Sequence, residues 1–176
     1  YPLIEHIASF GKPMIVSTGM NDIKSVTKTV KILENYKVPY ALLHTTNLYP
    51  TPNKLVRLGA LIDLAREFPN RIIGLSDHTL SNHSSFGAVA LGASIIERHY
   101  TDSKSRKGPD IICSMNEKEC KELIDGVKIL FEQRGGRKIP VAEEIATANF
   151  AFASVVSIKK INKGDLLSKE NIWVKR

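Results

Sequence analysis

The chain has 176 residues, 43% of them hydrophobic and 24% charged, which suits a soluble globular protein with one core, or one core and a small appendage. No apolar run approaches the roughly eighteen residues that span a bilayer, and no signal peptide is recognised, so no membrane partner and a cytoplasmic location are expected. The net charge of +7 raises nucleic acid as a partner, but the lysines are spread along helices between glutamates and no aromatic residues interleave a basic stripe. A solvated surface or an anionic small substrate is expected instead.

In chain order, Lys12-Pro13 introduces a strand over residues 14–20 that ends in the small-residue turn Ser17-Thr18-Gly19. Asn21 or Asp22 can cap a helix through Tyr36, with Ile23, Val26, Val30 and Leu33 at helical spacing. Residues 40–44 read as a second strand, followed by the proline-bounded loop of Thr45 to Pro52 and a helix over 54–68. A third strand covers 71–75, a small-residue helix 82–91, a fourth strand 93–97, and Asn116 can cap a helix over 117–132. After the basic connector at Arg134 to Lys138, residues 152–158 read as a strand, and Leu166 to Val174 as a brief helix and another strand. Cys113 and Cys120 have no CxxC spacing and read as reduced thiols, with one disulfide as the alternative.

Strand and helix alternating in this way imply parallel strands joined by right-handed crossovers, in a doubly wound sheet or a barrel. No glycine-rich phosphate motif follows any strand, and polar residues gather at each strand's C-terminal end, which favours the barrel. Only four β/α units are present, and half a barrel would leave two sheet edges bare. The expected fold class is therefore α/β, the second half of a (β/α)8 barrel over residues 1–146, followed by the truncated start of a small domain over 147–176. The chain begins at Tyr1 and stops at Arg176, and both ends read as cuts.

The chemistry concentrates where β-branched runs break into polar residues: Ile72 to Thr79, and its echo Ser94 to His99. His78 and His99 lie one strand–helix–strand unit apart, so neighbouring strands would bring both imidazoles to one rim as a divalent-metal pair with open positions for substrate. The commoner arrangement for either is a buried imidazole bonded to a carboxylate. Ser17, Asn47, Tyr49 and Ser76 offer hydroxyls and an amide for a phosphate or a polar sugar. Asp110 could complete the metal shell or orient a substrate hydroxyl, and Glu97 could orient an imidazole. Against these stand plainer roles: Ser17 and Thr18 as helix caps, Asn47 and Tyr49 as loop residues, Glu97 with Arg98 as an ion pair, His44 as a cover for the barrel top, and His6 and His83 as surface or packing residues.

Together, Val16 to Asn21, His44 to Pro50, Gly74 to Thr79, Gly92 to Thr101 and Gly108 to Asp110 resemble the sialic-acid synthase family over nearly the whole chain. Phe150 to Val156 resembles the join into that family's small antifreeze-like (SAF) domain. The resemblance implies a (β/α)8 barrel followed by that domain, and a carbon–carbon bond-forming transferase that condenses phosphoenolpyruvate with N-acetylmannosamine, releasing phosphate and N-acetylneuraminate. It implies His78 and His99 as ligands of a divalent metal, manganese first and magnesium or cobalt as alternatives. Ser17, Asn47 and Ser76 match phosphoenolpyruvate positions, while Tyr49 and Asp110 match the amino-sugar side; Glu97 is also expected to be substrate-binding. Arg176 matches a small-domain arginine that reaches the N-acetyl group in the partner of a domain-swapped homodimer. Where the family often has His-Cys-Thr this chain has His44-Thr45-Thr46, a change expected to be tolerated. The family's lysines and glutamate on earlier strands have no counterpart here, so the chain alone is expected to be inactive. The alternatives are a legionaminate or pseudaminate synthase, a non-catalytic sugar-binding module, and a metal-dependent barrel hydrolase.

Overall fold

A computed structural model describes residues Tyr1–Arg176, which divide into two compact units, Tyr1–Gly136 and Arg137–Arg176. The first unit runs α1 (Pro2–Ala8), β1 (Met14–Ser17), α2 (Ile23–Asn35), β2 (Tyr40–Thr45), α3 (Gly59–Glu67), β3 (Ile72–Asp77), α4 (His83–Ala90), β4 (Ile95–Arg98) and α5 (Glu117–Gln133). Its strands form one parallel sheet in the order β1-β2-β3-β4. Sequential order with every pair parallel is what repeated right-handed crossovers produce.

Side chains alternate across a strand, so each strand has two faces of different character. Met14, Tyr40, Leu42, Ile73 and Leu75 join Val26, Val30 and Leu33 of α2, Leu61 and Leu64 of α3 and Ala88 of α4 in the core cluster. The residues between them, Ile15, Ser17, Leu43, Thr45, Gly74, Ser76 and Glu97, belong to the opposite face. There Ile15 and Ile72 are 61% and 51% exposed, so this face is only partly covered within the unit.

Local chemistry explains the element ends. Asp22 caps α2 by accepting from the Ser25 N–H at 2.8 Å, and Asn116 and Glu119 cap α5 reciprocally. The helix expected from residue 54 begins at Gly59, because Asn53–Leu55 forms a separate 3-10 turn and Arg57 takes a φ of 52° that α-helix does not allow. β3 runs on through Asp77 and β4 through Arg98, so Ser76 and Glu97 lie within the ladder. Pro2–Ala8, where no element was expected, is a helix with proline in its first turn. Cys113 and Cys120 are both free, and no helix is long and apolar enough to cross a membrane.

In the second unit α6 (Ile145–Ala151) is followed by β5 (Ser154–Ser157) and β6 (Ile172–Lys175), which pair antiparallel with Val156 opposite Trp173. The brief helix expected after Leu166 does not form. The Asp165 carboxylate accepts from the Asn162 N–H at 2.7 Å and the Asn171 side chain accepts from the Ser168 N–H at 2.8 Å. These short side chains take up backbone donors and leave turns.

Gly74 sets how closely β3 and β4 approach. A Cβ there would strike the Ile95 carbonyl and the Leu43 side chain. In the full-length protein Gly74→Ala is therefore expected to cost about 1–3 kcal/mol, read as a lower urea midpoint at unchanged slope. A midpoint equal to wild type would mean that the two strands part easily.

Candidate active site

The open face of the sheet carries the polar groups. In the β2–β3–β4 register Thr45 pairs with Ser76 and Ser76 with Glu97, so these side chains share one rung. Ser76 Oγ donates to Glu97 Oε1 at 2.7 Å. Ser17, the last residue of β1, is opposite Leu43, two rungs below on the same face, and is exposed. Just beyond the rung come His78 and His99, whose ring centroids are 5.2 Å apart at an interplanar angle of 66°. Tyr49 stacks on His78 at 4.1 Å and meets His99 edge-on at 5.7 Å, closing an aromatic triangle. Asn47 is packed against Gly19, where any Cβ would strike the Asn47 amide. Glycine at that position thus joins the first two strand tips.

The two imidazoles are held differently. His78 is buried, and its Nδ1 lies 3.0 Å from the Thr46 carbonyl. A carbonyl can only accept, so Nδ1 carries a proton, which leaves Nε2 as the atom of the neutral ring able to bind a metal. His99 is partly exposed, with Nδ1 3.8 Å from Asp110 Oδ2. Asp110 is half exposed, and no three histidine, cysteine or carboxylate side chains come together as a metal cage. The two imidazoles therefore lie close together at the strand tips, and Asp110 stands beside His99.

Two expected pairings are corrected. Glu97 bonds Ser76 and neither imidazole. Arg98 does not pair with Glu97, because adjacent residues of a strand point to opposite faces. Arg98 Nε instead lies 3.7 Å from Asp77 Oδ2 on the helix side, with side chains 2% and 1% exposed. Asp77 accepts from the Thr79 N–H at 2.8 Å and the Ser85 hydroxyl at 2.7 Å, while Arg98 donates to the Thr79 carbonyl at 2.7 Å and to the Asn82 side chain. Strand parity could have revealed this pair, since both residues immediately precede the histidines. Another residue passed over is Thr45, whose buried Oγ1 has no hydrogen-bond partner.

Four other residues of the first unit fall outside the cluster. Thr18 Oγ1 donates to the Leu43 carbonyl at 2.9 Å and caps nothing. His6 meets Phe10 edge-on, and His83 bonds Ser81 at 2.9 Å. His44 points to the helix side, where Nε2 donates to the Val56 carbonyl at 2.7 Å. Arg176 belongs to the second unit, with its guanidinium over the Phe150 ring at 5.2 Å.

The chain is similar to several known proteins. The profile of the NeuB family matches residues 1–138. An uncharacterized protein of Methanocaldococcus jannaschii is 42% identical over all of this chain and 52% of its own length. The N,N'-diacetyllegionaminic acid synthase of Campylobacter jejuni is 35% identical over 99% of the chain and 53% of its own. The crystal structure of an N-acetylneuraminic acid synthetase from Leptospira borgpetersenii, in complex with citrate, superposes with a TM-score of 0.79 at 31% identity, covering 85% of this chain and 52% of that one. The chain thus spans about half the length of the curated relatives it matches, and its parallel sheet resembles half of the barrel of a sialic-acid synthase.

Burial holds the His44 pKa below the ordinary imidazole value, and the Val56 hydrogen bond opposes this only in part. The folded state therefore keeps His44 neutral at a pH where the unfolded chain, with an imidazole near 6.5, takes up a proton. Stability from this group is complete above about pH 6.5 and declines as pH falls below it. His44→Gln keeps a donor for Val56 without the titration. Its melting temperature is expected to drop less than that of wild type between about pH 7 and pH 5.5, and parallel curves would contradict the assignment.

Proposed function

The chain belongs to the NeuB family, and from that premise we propose that it is part of a synthase joining phosphoenolpyruvate, N-acetylmannosamine and water into N-acetylneuraminate and phosphate. The observation that carries this reading is the pair of imidazoles 5.2 Å apart at adjacent strand tips, beside a hydroxyl rung on the same open face. In the complete protein the chain would form the second half of a (β/α)8 barrel and lead into an antifreeze-like domain. The reading draws on the likeness to N-acetylneuraminic acid synthetase and on the named synthases among its relatives.

His78 and His99 would hold the metal, manganese in this proposal, through ring nitrogens. When bound there, a divalent ion supplies Lewis-acid polarisation of the sugar's aldehyde oxygen. Ser17, Asn47 and Ser76 would receive phosphoenolpyruvate, their hydroxyl and amide hydrogens donating to anionic oxygens. Ser76 has a single proton, now given to Glu97, so it can donate to phosphate only by releasing that carboxylate. Glu97 would then be free to accept from a sugar hydroxyl, as would the half-exposed Asp110. Tyr49, stacked on His78, fixes the imidazole plane and lines the sugar side. Donors placed in advance around the phosphate stabilise developing charge with little reorganisation. Arg176 would act on the N-acetyl group across a domain-swapped homodimer of the full-length protein.

A second acceptor is favoured by one observation, the 35% identity to a diacetyllegionaminic acid synthase. Phosphate release from phosphoenolpyruvate with N-acetylmannosamine, set against di-N-acetylated 6-deoxyhexoses, decides between sialate and legionaminate or pseudaminate synthesis. In the full-length protein His78→Ala or His99→Ala is expected to reduce manganese-dependent phosphate release on the order of a hundredfold or more. Turnover near wild type in either variant would refute the metal pair.

A further inference from the structure

We propose that the buried Asp77–Arg98 pair is the positioning device that sets the separation of the His78 and His99 rings. The inference rests on the reading of those two imidazoles as the reactive pair and assigns their geometry to residues on the other side of the sheet.

Asp77 and Arg98 are register partners at the last rung of the β3–β4 ladder. The two histidines are the next residues on each strand, and alternation sends them to the opposite face. Beyond that rung no ladder hydrogen bond joins β3 to β4, so something else must hold the tips together. Thr79 supplies part of the answer. Its N–H donates to the Asp77 carboxylate at 2.8 Å and its carbonyl accepts from the Arg98 guanidinium at 2.7 Å. His78 is therefore bracketed by two residues that the same network pins, and Arg98, the residue preceding His99, ties that network to β4.

The pair is also anchored from behind. The Ser85 hydroxyl of α4 donates to Asp77 at 2.7 Å, and Asn82, at the start of α4, accepts from Arg98 and donates to the Glu119 carbonyl of α5 at 2.9 Å. With side chains only 2% and 1% exposed, neither charge can turn to solvent, and removing one strands the other. A planar guanidinium that donates to the Asn82 side chain and the Thr79 carbonyl, with Nε turned towards Asp77 at 3.7 Å but not hydrogen-bonded, has an orientation that lysine cannot reproduce. No sugar or phosphate group need touch either residue, so both are positioning residues.

The test uses the full-length protein with the neutral double variant Asp77→Asn/Arg98→Gln, which leaves no lone buried charge, and with Arg98→Lys. Nitrogen-15 NMR reads two imidazole N–H groups: that of His78 on the Thr46 carbonyl, and that of His44 on the Val56 carbonyl as an internal control. In both variants the His78 proton is expected to exchange with water at least about tenfold faster while the His44 proton keeps its rate, and manganese affinity, read by the EPR signal of the free ion, to weaken about tenfold or more. Should both protons lose protection equally, the pair serves general stability and the positioning role is overturned. It is equally overturned if the variants fold and leave the His78 proton protected. Failure of wild type to bind manganese would sink the metal reading alone, since the His78 exchange comparison needs no metal.

Discussion

The register between β3 and β4 is the constraint on which the site depends. It aligns Ser76 with Glu97 and Asp77 with Arg98, and the pleat then sorts these residues into two chemistries on two faces. One face receives hydroxyl, carboxylate and the imidazoles that follow. The other receives a buried ion pair and its hydrogen-bond partners. A slip of a single residue would exchange the two sets, placing imidazoles against helices and a guanidinium in the open. The buried pair makes such a slip costly, because a displaced Asp77 or Arg98 would lose its counter-charge in a place water does not reach.

Small residues allow polar groups to converge on a sheet only four strands wide. Gly74 admits the Ile95 backbone and the Leu43 side chain, and Gly19 admits the Asn47 amide. The helices behind the sheet supply the rigid support, since the cluster of Val30, Leu33, Leu42, Leu61 and Leu75 is nearly free of solvent. The arrangement follows a general pattern of α/β proteins, in which an apolar layer holds strands still and their C-terminal ends present chemistry. Here Ser76, Asp77, His78 and Thr79 are four consecutive buried polar residues, and Thr79 has both of its backbone groups engaged by the ion pair.

Family membership and the half-length match agree with an unfinished surface on the open face. Ile15 and Ile72 are largely exposed there, and they are β-branched residues of a kind that parallel strands bury on both sides. Under the proposed reading, a closed barrel would cover these side chains and exclude water from the phosphate groups. Within the chain itself, the contribution is the paired imidazoles, the hydroxyl rung and the network behind them.

Much of this was legible from one dimension. Alternating apolar runs and polar punctuation located all four parallel strands, and the Asn21-Asp22 pair and Asn116 announced helix starts because capping is a local event, with the structure choosing Asp22 for the first. His78 and His99 were placed at neighbouring strand tips for the same local reason, since each ends an apolar run that reads as a strand and one helical segment separates the two runs. Partners were another matter. Whether Glu97 reaches an imidazole or a hydroxyl, and whether Arg98 meets Glu97 or Asp77, depends on register and on which face the helices cover, and neither is written in any short stretch. The break before Gly59 and the turns that replaced a helix after Leu166 were likewise decided by backbone angles and by side chains capturing nearby N–H groups. Sequence alone determined the elements and the residues available for chemistry, since both follow from local periodicity and residue type. Tertiary structure alone decided their pairing, because a hydrogen bond or ion pair forms only between groups that the packed sheet has already brought within reach.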